Sequence, residues 1–374
     1  MVPNLRFSYK GDWSKRKLNE ICLFFKGNGL SKSDLSNEGF PCILYGELYT
    51  TYKNEVISDI ISKTNTILSN PFLSRNNDLI IPGSGENPID IAVARAIYQN
   101  DIILGGDLNI LRPKSNVSAA FLSYQINGVR RYDIAKKAQG KSIVHLHNSD
   151  LKEVLVSIPS YDEQLHIVKL LTKIDEMIET QSKIIDTLSS QKKQIRNLLF
   201  KDIHKNANCC IQDYVIYEQP QKYIVHSTDY LSYGKDYTPV LTANQSFILG
   251  YTLEKDGIYE KGDCIIFDDF TNENKYVDFP FKVKSSALKI LQTKEGLMLK
   301  FFYEYLQFLN FESTDHKRHY LSEVAVTDIS VPNLKEQTFV CKIFTSFDNK
   351  LRNEKALLEK YRLQKQFLLN NLFI

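Results

Sequence analysis

The amino-acid sequence predicts an α+β fold in which two globular domains are separated by a pair of long antiparallel coiled-coil helices, with a pseudo-twofold internal repeat. Two observations support this prediction. Residues 158–200 align without a gap on residues 331–373, and short β-branched and aromatic runs fill the segment before each copy. Because a long repeat fixes the architecture before local motifs are read, we expect two halves that each end in a helix. The predicted divisions are 1–157 and 206–330 for the domains and 158–205 and 331–374 for the helices.

Each copy of the repeat starts with residues that favour a helix N-terminus. Ser160 and Asn333 are good N-cap residues, and Glu163 and Glu336 follow three places later at the spacing of a capping box. The proline before each N-cap keeps the entering chain extended. The pattern predicts helices of about 40 residues, which corresponds to a length of about 60 Å.

Apolar residues recur in both copies at alternating spacings of four and three, which is typical of a coiled-coil seam. Polar residues interrupt the seam at equivalent places: Gln181 and Lys192 in the first copy, and Glu354 and Lys365 in the second. We expect an antiparallel pair in which Lys192 faces Glu354 and Gln181 faces Lys365. The alternative is that each helix packs only on its own domain. The predicted seam residues are Ile167, Leu171, Ile174, Ile178, Gln181, Ile185, Leu188, Lys192, Ile195 and Leu199, and then Val340, Phe344, Phe347, Leu351, Glu354, Leu358, Tyr361, Lys365, Leu368 and Leu372.

Composition places the chain among soluble globular proteins. A hydrophobic content of 43% and a charged content of 24% are ordinary for that class. The N-terminal residues lack the apolar core of a signal peptide, so we expect a cytoplasmic protein without membrane contact. Cysteines and histidines show no metal-ligand spacing, so we expect reduced thiols and no metal. The net charge of +3 does not indicate nucleic-acid binding, so any basic surface must come from the distribution of charges.

The two globular segments resemble each other weakly. Residues 18–21 correspond to 211–214, 78–81 to 263–266, and 145–146 to 320–321, with offsets that fall steadily towards that of the helices. Short apolar runs followed by glycine or polar residues predict strands. Aromatic residues at helical spacing predict one clear helix in the second segment, over 297–308. We expect each segment to form a small α+β domain with a curved, mostly antiparallel sheet.

Basic and hydrogen-bonding residues concentrate in a few loops, such as 26–33, 45–53 and 130–141 in the first half and 316–319 in the second. Lysine and arginine suit phosphates and guanine edges, and asparagine and glutamine suit adenine edges. One such cluster alone is typical of a solvated loop, but the recurrence in both halves favours DNA binding. The predicted DNA contacts are Lys32, Lys53, Lys136, Lys141, Lys235, Asn244, Gln245, Lys317 and Arg318, with base reading assigned to Asn244, Gln245 and Arg318.

Several motifs together resemble a known family over essentially the whole chain. The opening residues 2–13, the Pro-x-x-x-Glu-Gln entry to each helix, and the aspartates Asp175 and Asp348 eleven residues later form one set. The segments 140–151 and 317–331 precede the prolines that start these two entries. This combination resembles the specificity (S) subunit of type I restriction-modification systems.

The resemblance implies that each globular half is a target recognition domain that reads one half of a bipartite, asymmetric DNA site. It implies that the helix pair sets the spacer and docks two modification subunits and, through them, restriction subunits. S-adenosylmethionine for adenine methylation is then expected in the modification subunit, with no cofactor on this chain. The predicted partner-binding residues, on helix faces away from the seam, are Glu163, Gln164, Lys169 and Asp175 and their repeats Glu336, Gln337, Lys342 and Asp348.

Two other functions stay open at this point. Asn87-Pro88-Ile89-Asp90 is similar to the motif of amino-methyltransferases, but it lacks the second proline and the aromatic residue that would stack on a flipped base. A DNA methyltransferase also needs a continuous strand-helix alternation, which neither half shows. The other alternative is a coiled-coil scaffold whose domains bind protein. We predict a non-catalytic DNA-recognition subunit.

Overall fold

The computed structural model describes residues 3–9, 11–227, 237–243, 246–311 and 318–374. Its contacts divide the chain into two compact units, residues 1–183 with 356–374 and residues 184–355. The boundary between the units falls inside both long helices. Each unit therefore contains one globular region and one end of each helix.

The two long helices form where the repeat predicts them. The first spans Tyr161–His204, 44 residues, and the second spans Leu334–Leu372, 39 residues. The N-cap predictions are confirmed: the Ser160 hydroxyl accepts a bond from the Glu163 N–H at 3.4 Å, and the Asn333 side chain accepts bonds from two N–H groups at 3.0 and 3.1 Å. The Glu163 carboxylate departs from the predicted capping box, because it binds the Arg6 guanidinium through two bonds of 2.7 Å.

The globular region of the first unit is built on antiparallel sheets with a few parallel pairs. A two-stranded sheet joins Ser14–Lys17 to Leu155–Ile158. The largest sheet has the order Cys22–Lys26, Leu108–Pro113, Asp78–Pro82, Arg95–Ile97 and Val56–Ile57, and its last pair is parallel. Two smaller sheets have the orders Ile103–Leu104, Phe40–Ile43, Ser62–Thr64, Leu35–Ser36 and Gln139–Gly140, Val144–His145, Ser84–Gly85.

Short helices complete this first globular region. One of them, Ala119–Gln125, continues through a π-turn at Ile126–Arg130 into the helix Arg131–Ala135. It is buried along its whole length, because its side chains fill the space between the main sheet and the first long helix. The remaining helices are Leu18–Ile21, Glu47–Thr50, Pro88–Ile91 and Asn148–Lys152, with a 3-10 turn at Lys32–Asp34.

Among its described residues, the second unit repeats the same plan with fewer elements. Its main sheet is antiparallel, in the order Val215–Glu218, Leu288–Thr293, Cys264–Asp268 and Asn274–Val277. A two-stranded sheet pairs Cys209–Cys210 with Asp328–Ile329, and a three-stranded sheet has the order Ile248–Thr252, Thr238–Leu241 and Lys282–Val283. The helices are Ile211–Tyr214 and Leu299–Leu309, with a 3-10 turn at Pro220–Tyr223 and a π-turn at Tyr320–Val324.

The structure tests the weak correspondences between the halves. The helices Leu18–Ile21 and Ile211–Tyr214 each precede an outer strand of the main sheet, and Asp78–Pro82 and Cys264–Asp268 occupy the same place in the two main sheets. These two correspondences are confirmed. The third is wrong, because residue 145 lies in a strand and residue 320 in a π-turn. The two segments share a pattern of apolar residues but have different backbone conformations.

The two helix ends in each unit run antiparallel, as predicted. In the first unit, Ile167 and Leu171 near the start of the first helix share a core cluster with Leu368 and Leu372 near the end of the second. In the second unit, Phe200 near the end of the first helix packs with residues 340–344 near the start of the second. Start packs against end in both units. All of the predicted seam positions are buried or half-buried.

Candidate nucleic-acid interface and helix clamps

The repeated glutamines join each long helix to its own globular region. Gln164 accepts a bond from the Ser118 N–H at 3.0 Å and donates to two carbonyl oxygens, at 3.2 Å to residue 116 and 3.1 Å to residue 159. Gln337 repeats the arrangement with the Met298 N–H at 2.7 Å and the carbonyls of residues 296 and 332, both at 2.8 Å. Both glutamines are fully buried. Their recurrence in the sequence therefore has a structural cause within each unit.

A buried ion-pair cluster joins three elements of the first unit. The Lys365 ammonium, from the second long helix, lies 2.6 Å from Asp175 of the first long helix and 2.6 Å from Glu55 of the globular region. The Tyr124 hydroxyl donates to the other oxygen of Asp175 at 2.6 Å. Glu55 is 5% exposed and Asp175 is 4% exposed. We call Lys365, Asp175 and Glu55 the first clamp.

The second unit contains the equivalent cluster. Lys192 lies 2.6 Å from Asp348 and 3.0 Å from Glu304, which belongs to the helix Leu299–Leu309. Arg196 binds Glu304 at 2.7 Å, and Lys300 bridges Asp348 at 2.5 Å and Glu304 at 3.4 Å. Glu304 is fully buried. We call these five residues the second clamp.

The clamps correct the predicted partners of the seam lysines. Among the described residues, Lys192 pairs with Asp348 and Glu304 rather than with Glu354, and Lys365 pairs with Asp175 and Glu55 rather than with Gln181. Each aspartate lies six positions earlier in its helix than the predicted partner. The seam pattern indicates which face is buried, but the axial stagger depends on which acids reach the buried ammonium group.

The two equivalent aspartates differ in charge balance. Burial, and then the neighbouring Glu55 carboxylate, raises the pKa of Asp175 to about 6. Burial also acts to raise the pKa of Glu55, but Lys365 outweighs it and the pKa stays below its ordinary value. For Asp348, hydrogen bonds from two lysines outweigh burial and lower the pKa. The difference follows from composition, because the first clamp has one cation for two acids and the second has three.

The predicted partner-binding residues fall into two groups. Glu163, Gln164, Asp175 and Gln337 are buried and bound within the chain, and Glu163 also accepts a bond from the Trp13 indole N–H at 3.3 Å. Asp348 is half-buried in the second clamp. The side chains of Lys169, Lys342 and Glu336 are exposed on the helix surface. Only the exposed group presents its side chains to a partner that docks on the unaltered chain.

In the first unit, two of the basic loops line one cleft of about 730 Å³. Residues 30–32 of the loop 26–33 form one wall, and Tyr45 and Thr50 of the loop 45–53 belong to the other. The turn that carries Lys32 is held by Asp34, whose carboxylate accepts bonds from the Ser31 hydroxyl at 2.7 Å and the Ser31 N–H at 2.8 Å. Lys53 is exposed, and its ammonium donates to the Thr50 carbonyl at 2.8 Å.

The other predicted DNA contacts lie apart from this cleft or outside the described residues. Lys136 and Lys141 are exposed, near the small strand Gln139–Gly140. In the second unit Arg318 is exposed, with its guanidinium 5.8 Å from the centre of the Phe270 ring. The predicted contacts that lie outside the described residues are Lys235, Asn244, Gln245 and Lys317.

Some residues of the candidate sites could not be identified from the sequence. Asn272, two residues after Phe270, is 4% exposed and lines a polar pocket of about 220 Å³ with Gln307. Within the described part of the chain, no group pairs with its side-chain amide. Glu55 and Glu304 were also missed, because their partners lie far away in the chain. The turn sequence 268–274, rich in polar residues between two strands, is the one local signal that could have indicated Asn272.

Comparison with known proteins decides the family. A family profile described as the type I restriction modification DNA specificity domain matches residues 10–190. The type I restriction enzyme EcoR124I/EcoR124II specificity subunit of Escherichia coli is 48% identical over 123 residues, which are 31% of this chain and 30% of that protein. The matched residues 10–190 are therefore a type I restriction-modification DNA specificity domain. This confirms the predicted family and agrees with the predicted non-catalytic class.

Further similarities concern members of the specificity-subunit family. The type I restriction enzyme MjaVIII specificity subunit of Methanocaldococcus jannaschii is 24% identical over 191 residues, which are 50% of this chain and 42% of that protein. The chain thus spans less than half the length of these two curated relatives. The fold is similar to the crystal structure of the type I restriction-modification system S subunit from M. genitalium, with a TM-score of 0.68, 18% identity, and coverage of 100% of this chain and 99% of that one.

Two further groups of polar residues have structural explanations within the fold. Asn87 caps the helix Pro88–Ile91, because its side chain accepts a bond from the Ile89 N–H at 2.9 Å. His226, Glu254 and Asp256 could in principle hold a metal ion, but the Lys282 ammonium already lies 2.8 Å from Glu254. Across the described residues, no helix combines the length and apolar character needed to cross a membrane.

Proposed function

We propose that this protein is the sequence-specific DNA-binding subunit of a type I restriction-modification complex. Each globular half reads one part of a bipartite, asymmetric site, and the helix pair sets the gap between the two parts. The observation that carries the proposal is the family match together with two unlike globular regions, each joined to an antiparallel helix pair by the same glutamine contacts. Two dissimilar readers suit a non-palindromic site, just as symmetric dimers suit palindromes.

The first half is proposed to contact DNA at the cleft between its two basic loops. Lys32 lines it, and Lys53 is exposed two residues after the lining residue Thr51; both suit phosphate groups, while tyrosine and threonine side chains on the walls suit base edges and sugar. In the second half, the proposed contacts are the exposed Arg318, beside the Phe270 ring, and the polar pocket lined by Asn272 and Gln307. Lys136 and Lys141 extend the first surface.

The proposed partners are double-stranded DNA and two modification subunits, which bring the restriction subunits into the complex. The modification subunits dock on exposed helix residues, including Lys169, Lys342 and Glu336. S-adenosylmethionine would be held by the modification subunit and not by this chain. We place the complex in the cytoplasm and retain the divisions 1–157, 158–205, 206–330 and 331–374 for its four parts.

The test is to co-express the chain with the modification subunit encoded beside it and map methylated adenines by single-molecule sequencing. We expect a split motif with two unlike halves and a fixed gap. A stable complex without methylation would indicate a decoy subunit. Absence of a complex, together with no sequence preference on DNA, would favour the scaffold function. A signal for S-adenosylmethionine binding by the isolated chain would favour the methyltransferase function.

A further inference from the structure

Each clamp binds one ammonium group to acids from two different structural elements. In the first clamp Lys365 binds Asp175 of the facing helix and Glu55 of the globular region, both at 2.6 Å. In the second, Lys192 binds Asp348 of the facing helix and Glu304 of the globular region. One charge therefore fixes both the axial register of the helix pair and the position of the globular region on the helices. Neither can shift alone without separating buried opposite charges.

The acid from the globular region has different origins in the two clamps. Glu304 lies on the helix Leu299–Leu309, and residue 124 occupies the equivalent place in the first unit because Ser118 and Met298 both begin these helices and both bind the repeated glutamine. Residue 124 is a tyrosine, and the acid comes instead from Glu55, next to the strand Val56–Ile57. In both units an acid from the globular region meets the lysine of the helix pair, although the two acids come from non-equivalent positions.

Each of these acids also lies close in the chain to a proposed DNA-reading surface. Glu55 follows Lys53 by two residues and the cleft residue Thr51 by four. Glu304 lies one helical turn before Gln307, which lines the pocket of Asn272. A displacement of either acid relative to the helices would carry the reading surface with it.

We propose that the two clamps determine how selective the complex is for a single number of base pairs between its half-sites. Glu55 and Glu304 act as positioning residues. This inference rests on the proposed function. Without Glu55 or Glu304, the globular region keeps its reading surface and its glutamine contacts. Its position on the helix pair is then no longer coupled to the axial register of the helices. The half-site sequences then stay the same while the accepted gap broadens.

The main experiment maps methylated adenines in the co-expressed complex with Glu55→Gln, and separately with Glu304→Gln. We expect unchanged half-sites, and a rise of about tenfold in methylation at sites whose gap differs by one base pair, because one charge-assisted bond is replaced by a neutral one. Lys365→Arg keeps a cation between both acids and should keep the single gap. Glu153→Gln, at an exposed ion pair with Lys17, is the matched control. A single unchanged gap at wild-type occupancy in both clamp variants would overturn the proposal.

A second measurement on the full-length chain separates this inference from the proposed function. Hydrogen–deuterium exchange should rise by about tenfold in Glu55→Gln at both 51–58 and 361–369, because the lost bond connects these two segments. Faster exchange in only one of the segments, or in neither, contradicts the clamp. If the wild-type complex shows no split motif, the proposed function fails, and the exchange result alone decides whether Glu55 ties the globular region to the helix.

Discussion

Replacing Lys365 by methionine removes the only cation of the first clamp and keeps most of the side-chain volume. The change leaves Glu55 and Asp175, 5% and 4% exposed, without the ammonium group that lies 2.6 Å from each of them. Removing one partner of a buried ion pair typically costs about 3–5 kcal/mol, because the remaining charge stays buried and uncompensated. We expect a loss of that size in the free energy of unfolding at pH 7.

The pH dependence of the loss can also be derived. The folded chain can relieve the repulsion by protonating Asp175, whose ordinary pKa is 3.8. In the wild type the pKa of Asp175 is already raised to about 6, so this residue is mostly ionised at pH 7 and mostly protonated at pH 5. At 1.36 kcal/mol per pH unit, holding it protonated costs the variant about 1.4 kcal/mol more than the wild type at pH 7 and almost nothing more at pH 5. The destabilisation should therefore shrink by about 1.4 kcal/mol between pH 7 and pH 5.

Denaturant unfolding monitored by tryptophan fluorescence is a suitable assay. The chain has one tryptophan. Trp13 is 4% exposed in the first unit, with ring centres 5.7 Å from Phe121 and 6.4 Å from Phe373, so its emission reports on this unit. Lys360→Met, at an exposed position of the same helix, is the matched control. The reasoning is refuted if Lys365→Met costs no more than the control, or if its cost is the same at both pH values.

Three further predictions concern other contacts. Asp175→Asn should remove the loss of stability, up to about 3 kcal/mol, that the wild type shows as pH rises from 4 to 7, so the variant should gain on the wild type over this range, because the folded pKa of about 6 exceeds the ordinary value. Asp348→Asn should instead cost about 1.5–3 kcal/mol at pH 7, since its pKa is lowered by its lysine partners; equal pH profiles of the two variants would contradict the charge balance. Gln337→Ala should cost about 1–3 kcal/mol by leaving the Met298 N–H unpaired, measured by calorimetry of the second unit. Lys32→Ala and Lys53→Ala should each reduce the slope of log affinity for DNA against log salt by about one, and unchanged slopes in filter-binding titrations would exclude phosphate contact.

The helix pair and its antiparallel direction could be predicted from the sequence because their signals are local and occur twice. Ser160 and Asn333 act as N-caps through neighbouring N–H groups, and the four-three spacing identifies the buried face. The partners of the seam lysines could not be predicted in this way. They include Glu55 and Glu304, which lie 310 and 112 positions away from Lys365 and Lys192. Only the folded globular regions bring these acids to the helices.

The candidate reading surfaces show the same limit. The loops 26–33 and 45–53 were selected for composition, and the fold brings both to one cleft. The sequence could not indicate that Asn272 is buried with its amide unpaired, because this depends on the turn between two strands and on the neighbouring helix. The repeated Glu163 and Gln164 were interpreted as partner-binding residues, whereas their side chains are bound within the first unit.

The division of the chain has a consequence for folding during synthesis. The second unit consists of one continuous stretch, 184–355, whereas the first unit needs residues 356–374 to be complete. The first globular region leaves the ribosome early, but Lys365 and Phe373, which neutralise Glu55 and cover Trp13, are made only after the whole second unit. The later half therefore closes before the earlier one, contrary to the usual N-terminal-first order. Until residues 356–374 have been made, the first half exposes an unfilled apolar groove and two solvated carboxylates, so chaperone binding should concentrate on this half of the nascent chain.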